Sequence, residues 1–239
     1  RNIRMKNKLN SIPEAIEAIK KGEIIIVVDD ETRENEGDFV CASSKITPEI
    51  INFMSKEGRG LICCSLNSDR CNELELDLMV GKNTDLYGTS FTVSVDLKDN
   101  GVTTGISASD RSKTIRALVD SKSKPSNFSK PGHIFPLRSI DGGVLRRAGH
   151  TEASVELPKL AGLYPSGVIC EILNEDGSMA RLNNLFKVAE KHGLKIISIK
   201  DLIEYQLERN SLIEEKETVN LPTEYGNFKL ISFEQKDTK

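Results

Sequence analysis

The chain has 239 residues, 38% of them apolar, enough at this length to bury a core, and its 33 Lys+Arg against 36 Asp+Glu leave a formal net charge of -3. So slight a balance selects neither a polyanion nor a charged membrane as partner. The longest aliphatic run, Ile24 to Val28, is far short of the roughly 20 residues that span a bilayer, so a soluble protein is expected. No basic start followed by an apolar stretch marks a signal peptide; the opening on Arg1 rather than Met implies trimmed residues and leaves a removed targeting segment open. Five cysteines (Cys41, Cys63, Cys64, Cys71, Cys170) form an odd set without a C-x-x-C pair. They read as buried thiols of a reducing, cytoplasmic compartment, and the three histidines show no zinc spacing with them.

In chain order, Ser11-Ile12-Pro13-Glu14 is a capping-box start, and the apolar positions Ile12, Ala15, Ile16 and Ile19 predict a helix stopped by Gly22. Glu23 to Asp29 is β-branched throughout, as in a central strand, and Phe39 to Ala42 is another strand. Thr47-Pro48 opens a helix ending near Gly58, and Leu61 to Leu66 is a buried strand. Phe91, Val93, Val95 and Leu97 alternate with Thr92, Ser94 and Asp96, the period of a strand packed on one face only. A helix is expected over Asp110 to Asp120, then a long connection from Ser121 to Pro136. A helix over Glu152 to Leu163, a strand over Gly167 to Leu173, a helix over Ala180 to His192, a strand over Leu194 to Ile199 and a helix over Asp201 to Arg209 complete the pattern. The expected fold is α/β or α+β: a single domain ending near residue 209, with helices packed on the faces of a sheet. From Ser211 the charged stretch Glu214 to Glu217, the apolar segment Phe228 to Phe233 and a polar end read as a linker plus a stub, since thirty residues cannot build a second core.

Chemistry concentrates first in Asp29-Asp30-Glu31-Thr32-Arg33-Glu34-Asn35-Glu36-Gly37-Asp38, between two strands. An acidic run of this kind is ordinarily a solvated turn. This one leaves the end of a strand, where open sheets place ligands, and in an extended segment Glu34, Glu36 and Asp38 share one face. Grouped carboxylates suit a hard cation such as Mg2+. Residues 111 to 147 hold nine Lys+Arg against two Asp+Glu, leaving 24 against 34 elsewhere. With only Phe128 and Phe135 as aromatics, that stretch lacks the stacking groups of a single-strand nucleic-acid binder, and solubility explains it equally. Arg147-Ala148-Gly149-His150-Thr151 enters a helix, placing a guanidinium and a hydroxyl beside free N-terminal amides, a phosphate-binding arrangement; Thr103-Thr104-Gly105 is a weaker turn of the same sort. His192 reads as a helix C-terminal residue, whereas His133 and His150 read as loop imidazoles fit for proton transfer. Glu171, in an apolar strand, is either outward-facing or a tuned acid/base.

Seven ordered blocks then resemble one family. They are Asp29-Asp30-Glu31-x-Arg33-Glu34-Asn35-Glu36-Gly37-Asp38, Gly60-Leu61-Ile62-Cys63, Thr89-x-Phe91-Thr92-Val93, Thr103-Thr104-Gly105-Ile106-Ser107-Ala108-x-Asp110-Arg111, Pro131-Gly132-His133-x-Phe135-Pro136-Leu137, Arg147 to Glu152 and Gly167 to Glu171. From about residue 9 to 207 the chain resembles the 3,4-dihydroxy-2-butanone 4-phosphate synthases of riboflavin biosynthesis. The resemblance implies a mixed sheet with helices in layers, and conversion of D-ribulose 5-phosphate to formate and the four-carbon ketone phosphate with Mg2+ (or Mn2+). It implies a homodimer with sites near the subunit interface, and neither a nucleic-acid nor a membrane partner. By motif, Glu34 and His150 match metal ligands, and His133, Glu171 and Cys63 match catalytic groups; whether Cys63 or Cys64 faces the site is open at this level. Arg33, Glu34, Glu36, Asp38, Thr104, Asp110, Arg147, Ala148, Gly149, His150, Thr151 and Glu171 are the expected substrate contacts. Residues 78 to 90 or 121 to 136 are expected to act as a lid. Pro158 falls within the helix after His150 and should kink or shorten it. Leu221 to Phe228 resembles the opening of a GTP cyclohydrolase II domain, without that enzyme's zinc cysteines, so no such activity is expected. The rivals are an RNA- or polyanion-binding module and a metal-dependent sugar-phosphate isomerase or aldolase.

Overall fold

In the computed structural model, residues 8–209 and 213–235 are described; the Arg1 start, the junction at 210–212 and the polar end at 236–239 lie outside them. Seven strands form one mixed sheet in the order β4-β5-β3-β6-β2-β1-β7. They are β1 (Ile25–Val28), β2 (Gly37–Ala42), β3 (Cys63–Leu66), β4 (Val95–Leu97), β5 (Phe128–Arg138), β6 (Ser166–Glu171) and β7 (Lys195–Ser198). β1 runs parallel to β7 and β3 parallel to β5, while the other neighbours are antiparallel. Every residue of β1 and β2 is buried, as an interior strand covered on both faces requires.

The alternation of side chains divides the core into two halves. Ile26, Val28, Phe39 and Cys41 join one half, with helices α2 (Pro48–Phe53), α4 (Ala108–Leu118) and α6 (Leu182–His192). Ile25, Val27, Val40 and Ala42 join the other, with α1 (Ile12–Lys21), α5 (His150–Leu160) and α7 (Ile199–Arg209). The short α3 (Ser68–Glu73) adds Cys71 to the first half. The expected layered α/β fold is thus observed. The capping box of Ser11 and Glu14 is made, and Gly22 ends α1 at φ 83.

Four local expectations are corrected. The stretch Ser121 to Pro136 is not a loop: most of it belongs to β5, because Pro131 and Pro136 lack only the N–H, and the Pro136 carbonyl still accepts from Thr92 N at 3.0 Å. The strand expected over 91–97 is confined to β4, with isolated bridges at Phe91 and Thr92, and its polar positions Thr92, Ser94 and Asp96 are buried while Phe91 and Val93 are only partly so. His150 is the first residue of α5 rather than a loop residue. The charged stretch read as linker lies in β8 (Ile213–Thr223), which pairs with β9 (Gly226–Gln235) in a separate hairpin. α5 continues past Pro158 to Leu160, so the proline stands in the last turn. No helix among the described residues is long and apolar enough to cross a membrane.

Candidate active site

In the middle of the sheet, where β1 and β6 end and β2 and β3 begin, lies a cavity of about 160 Å³. The loop leaving β1 brings Arg33, Glu34 and Glu36; the first turn of β2 brings Asp38; β3 begins with Cys63; β6 ends with Glu171; and the entry to α5 brings Arg147, His150 and Thr151. Thr89, Phe91, Leu137 and Ile169 complete the lining. Four segments far apart in sequence meet because β2 lies between β1 and β6, and β6 between β2 and β3.

The acid loop is not extended. Asp29, its side chain inaccessible, accepts from Glu34 N at 3.0 Å and Glu36 N at 2.9 Å, and also binds Arg33 Nη1 at 2.9 Å. Asn35 takes a left-handed φ of 56°, and the turn so formed still delivers Glu34, Glu36 and Asp38 to the same cavity. Burial works to raise the Glu34 carboxyl, but the hydrogen bond from His150 and the charge of Arg33 outweigh it and hold Glu34 below its ordinary value. At Asp38 the compensation falls short: burial, helped by the charges of Glu171, Glu34 and Glu36, outweighs the charge of His150 and pushes it up to about 7. Burial opposes charge on His150, yet the carboxylates of Asp38, Glu34 and Asp29 raise it to about 9.

His150 Nδ1 lies 3.5 Å from Glu34 Oε2, and its Nε2 lies 3.1 Å from the Val27 carbonyl. With Asp29 these two residues offer ligand atoms within 4.8 Å of one another. The Val27 carbonyl favours a proton on Nε2, which leaves the Nδ1 lone pair for a ligand in the neutral ring.

The same cavity is also lined by two guanidinium groups, and one of them, Arg33, pairs with Glu34 Oε1 at 3.0 Å. A Cβ on Gly149 would stand 2.2 Å from Arg147 Nη1 and 3.0 Å from Arg33 Nη2, so two guanidinium groups converge where the absent side chain leaves room. Gly149 is the N-cap of α5 and offers no side-chain cap, so the first amides of the helix are left for an anion. Arg147 is held by Glu152 Oε2 at 2.6 Å, by the Tyr87 carbonyl at 3.1 Å and by Thr89 Oγ1 at 3.0 Å. The Tyr87 hydroxyl donates to the Arg33 carbonyl at 2.8 Å, and its ring stacks on the Arg33 guanidinium at 5.1 Å. The 78–90 segment therefore leans on both arginines, whereas most of 121–136 is built into the sheet.

Cys63 is the cysteine in the cavity wall; Cys64 points to the other face, where its sulfur meets Ser43 Oγ at 3.6 Å and Ser166 Oγ at 3.7 Å. Glu171 Oε2 accepts from Leu61 N at 2.8 Å while lining the cavity. Ala148 is exposed, and neither it nor Gly149 is among the residues that line the cavity.

His133, Thr104 and Asp110 do not line this cavity. His133 Nδ1 lies 2.6 Å from Asp96 Oδ2, and Asp96 Oδ1 accepts from His133 N at 2.9 Å. The Asp110 carboxylate accepts from Thr103 N, Thr103 Oγ1 and Gly105 N, and so shapes the turn that exposes Thr104. The sequence reading gave no role to Asp29, Tyr87, Asp96 or Glu152. Asp29 opens the acid run itself, Asp96 hides in the polar half of an alternating strand, and Glu152 stands five residues after Arg147, on the first turn of the helix Arg147 precedes.

This arrangement has counterparts in known proteins. A family model described as 3,4-dihydroxy-2-butanone 4-phosphate synthase matches residues 13–205. The chain belongs to the 3,4-dihydroxy-2-butanone 4-phosphate synthase family. Among curated relatives of this synthase, the riboflavin biosynthesis protein RibBA of Cytophaga hutchinsonii is 65% identical over 97% of this chain and 57% of its own length. That of Aquifex aeolicus is 56% identical over 97% of this chain and 57% of its own. The chain thus spans a little over half the length of these relatives. A crystal structure of a 3,4-dihydroxy-2-butanone 4-phosphate synthase in complex with two magnesium ions is 42% identical, with a TM-score of 0.81 over 84% of this chain and 98% of that one. The two-domain synthase RibBX of A. baumannii is 46% identical, with a TM-score of 0.87 over 95% of this chain and 66% of that one.

Proposed function

We propose that the chain converts D-ribulose 5-phosphate to L-3,4-dihydroxy-2-butanone 4-phosphate and formate, in the cytoplasm, with a bound divalent ion. The observation that supports this reading above all is a single cavity lined by two guanidinium groups together with a cluster of carboxylates and an imidazole. The two products together contain the atoms of the substrate, so no co-reactant is required. The phosphate is bound between Arg33 and Arg147, on the N-terminal amides of α5 and the Thr151 hydroxyl, which holds the sugar in register through successive steps. The donor set fits a hard ion: Glu34 Oε2 and His150 Nδ1 would hold Mg2+, or Mn2+, with Asp29 organising the loop behind them. When bound, that ion supplies positive charge beside the ketose oxygens.

The chain's own groups move the protons. Asp38, at about 7, is poised to accept and return a proton near neutral pH. Glu171, beside it across β2 and β6, serves a second position on the sugar. We read the active unit as a homodimer: the His133 side chain, 42% exposed and fixed by Asp96, serves the cavity of a second copy. Residues 1–209 are read as the synthase domain, and 210–239 as a linker and the start of a GTP cyclohydrolase II-like domain. In support, Val219, Leu221, Phe228 and Leu230 form an exposed apolar face of the β8–β9 hairpin, and the chain spans only 57% of the length of a relative.

The test is incubation with ribulose 5-phosphate with and without Mg2+. Formate and the four-carbon ketone phosphate are expected only with the ion and only with Glu34 intact, Glu34→Gln being inactive. An aldose phosphate or two trioses in their place would identify an isomerase or aldolase.

A further inference from the structure

The backbone of Glu34 is held from both sides. Its N–H donates inward to the Asp29 carboxylate at 3.0 Å, and its carbonyl accepts outward from Arg181 Nη1 at 3.0 Å. The left-handed turn at Asn35 brings that residue's carbonyl to the same side, so that the same nitrogen also donates to Asn35 O. Arg181 is the N-cap residue of α6, and one turn further on Leu185 packs so closely on Gly37 that a Cβ there would lie 2.4 Å from Leu185 Cδ1. α6 therefore seats on the loop at two points, residues 34–35 and residue 37, on either side of Glu36. The loop needs such a tie, because Glu34, Glu36, Asp38 and Glu171 line one cavity and repel one another.

We propose that Arg181 is a positioning residue that fixes the Glu34 carboxylate for the divalent ion; this rests on the reading that Glu34 and His150 hold that ion. Its geometry and its charge act in opposite directions. The guanidinium charge is felt at Glu36, whose pKa burial raises and this charge works to lower, and a fixed positive charge near a cation site weakens cation binding. Removing the charge would tighten the ion if electrostatics were its whole effect, and loosen it if positioning dominates.

The experiment is titration of the full chain with Mn2+, reading bound ion from loss of the free-ion EPR signal, with no substrate present. Arg181→Met is expected to raise the Mn2+ dissociation constant about tenfold, and Arg181→Lys, which keeps the charge but not the planar fork, by a smaller factor. Arg181 is exposed, so circular dichroism melts of both variants should stay near that of the parent. An unchanged or lower constant in Arg181→Met overturns the inference. Should that variant not fold, Arg181→Gln, which lacks both the charge and the reach, decides: parental or tighter affinity overturns the inference and weakened affinity supports it. Glu34→Gln separates the two levels. If it leaves Mn2+ binding intact, the metal assignment itself fails and this inference with it; if it abolishes binding while Arg181→Met does not alter it, only the role of Arg181 fails.

Discussion

Cys63 illustrates how environment decides what one atom can do. The thiol is 2% exposed, and burial, then the charges of Glu171 and Asp38, raise its pKa well above the ordinary value. It is therefore a neutral S–H at physiological pH, a proton donor rather than a thiolate nucleophile. On that account Cys63→Ser, which keeps a donor, should retain formate release within about tenfold of the parent, whereas Cys63→Ala should lose about a hundredfold. A nucleophilic role predicts instead that Ser and Ala fall together, and initial rates at saturating ribulose 5-phosphate separate the two. The sequence could not choose between Cys63 and Cys64, because adjacent residues in a strand face opposite ways and either register is compatible with the apolar run. Pairing of Cys63 with Ile169 and Cys64 with Val168 settles the faces. Asp29 went unread for a related reason. In a run of acids nothing in the one-dimensional pattern marks the carboxylate that binds backbone N–H groups and separates it from those that face the cavity.

At the scale of elements, the helices were legible because their signals are local: a capping box, an apolar stripe, a glycine stop. β5 was not, because Pro131, Gly132 and Pro136 mimic a loop and the pairing that makes it a strand comes from β3 and β4, elsewhere in the chain. The Thr103–Gly105 turn was legible as a turn, but what shapes it was not: Asp110, near the start of α4, occupies Thr103 and the Gly105 amide. The hydrogen bond from Thr103 is the largest influence on this carboxylate and lowers its pKa from 3.8. A carboxylate with a depressed folded pKa contributes stability above its unfolded pKa and loses it as pH falls through the folded one. Asp110→Asn should therefore melt below the parent at pH 7, and the difference should shrink as the pH is taken below 3.8. Melting curves from pH 7 to pH 2.5 check this; a gap that persists unchanged in acid would assign the effect to packing.

The whole molecule poses a question of completeness that neither strand order nor motif answers. Within one chain the acid loop, Cys63, the α5 entry and Glu171 surround one cavity, while His133, Asp96 and the exposed Thr104 stand outside it. The resemblance grouped these residues, Asp96 apart, as one site, and sequence order carries no information about which copy supplies which part. If a homodimer completes the site, it pairs Glu34 of one copy with His133 of the other, an isologous exchange repeated twice by the two-fold axis. Glu34→Ala and His133→Ala, each inactive alone, should then complement when unfolded together and refolded as a mixture. A mixed dimer has one cavity with both residues intact and one with neither. Random pairing of equal amounts makes half the dimers mixed, so about a quarter of the parental formate release should return. If Glu34 and His133 act within one chain, no cavity in any pairing holds both, and the mixture stays as inactive as its parts. A refolded mixture of parent and double variant controls for yield: under exchange between copies it too retains about a quarter of the intact cavities, from parental dimers alone, and within one chain it retains about half.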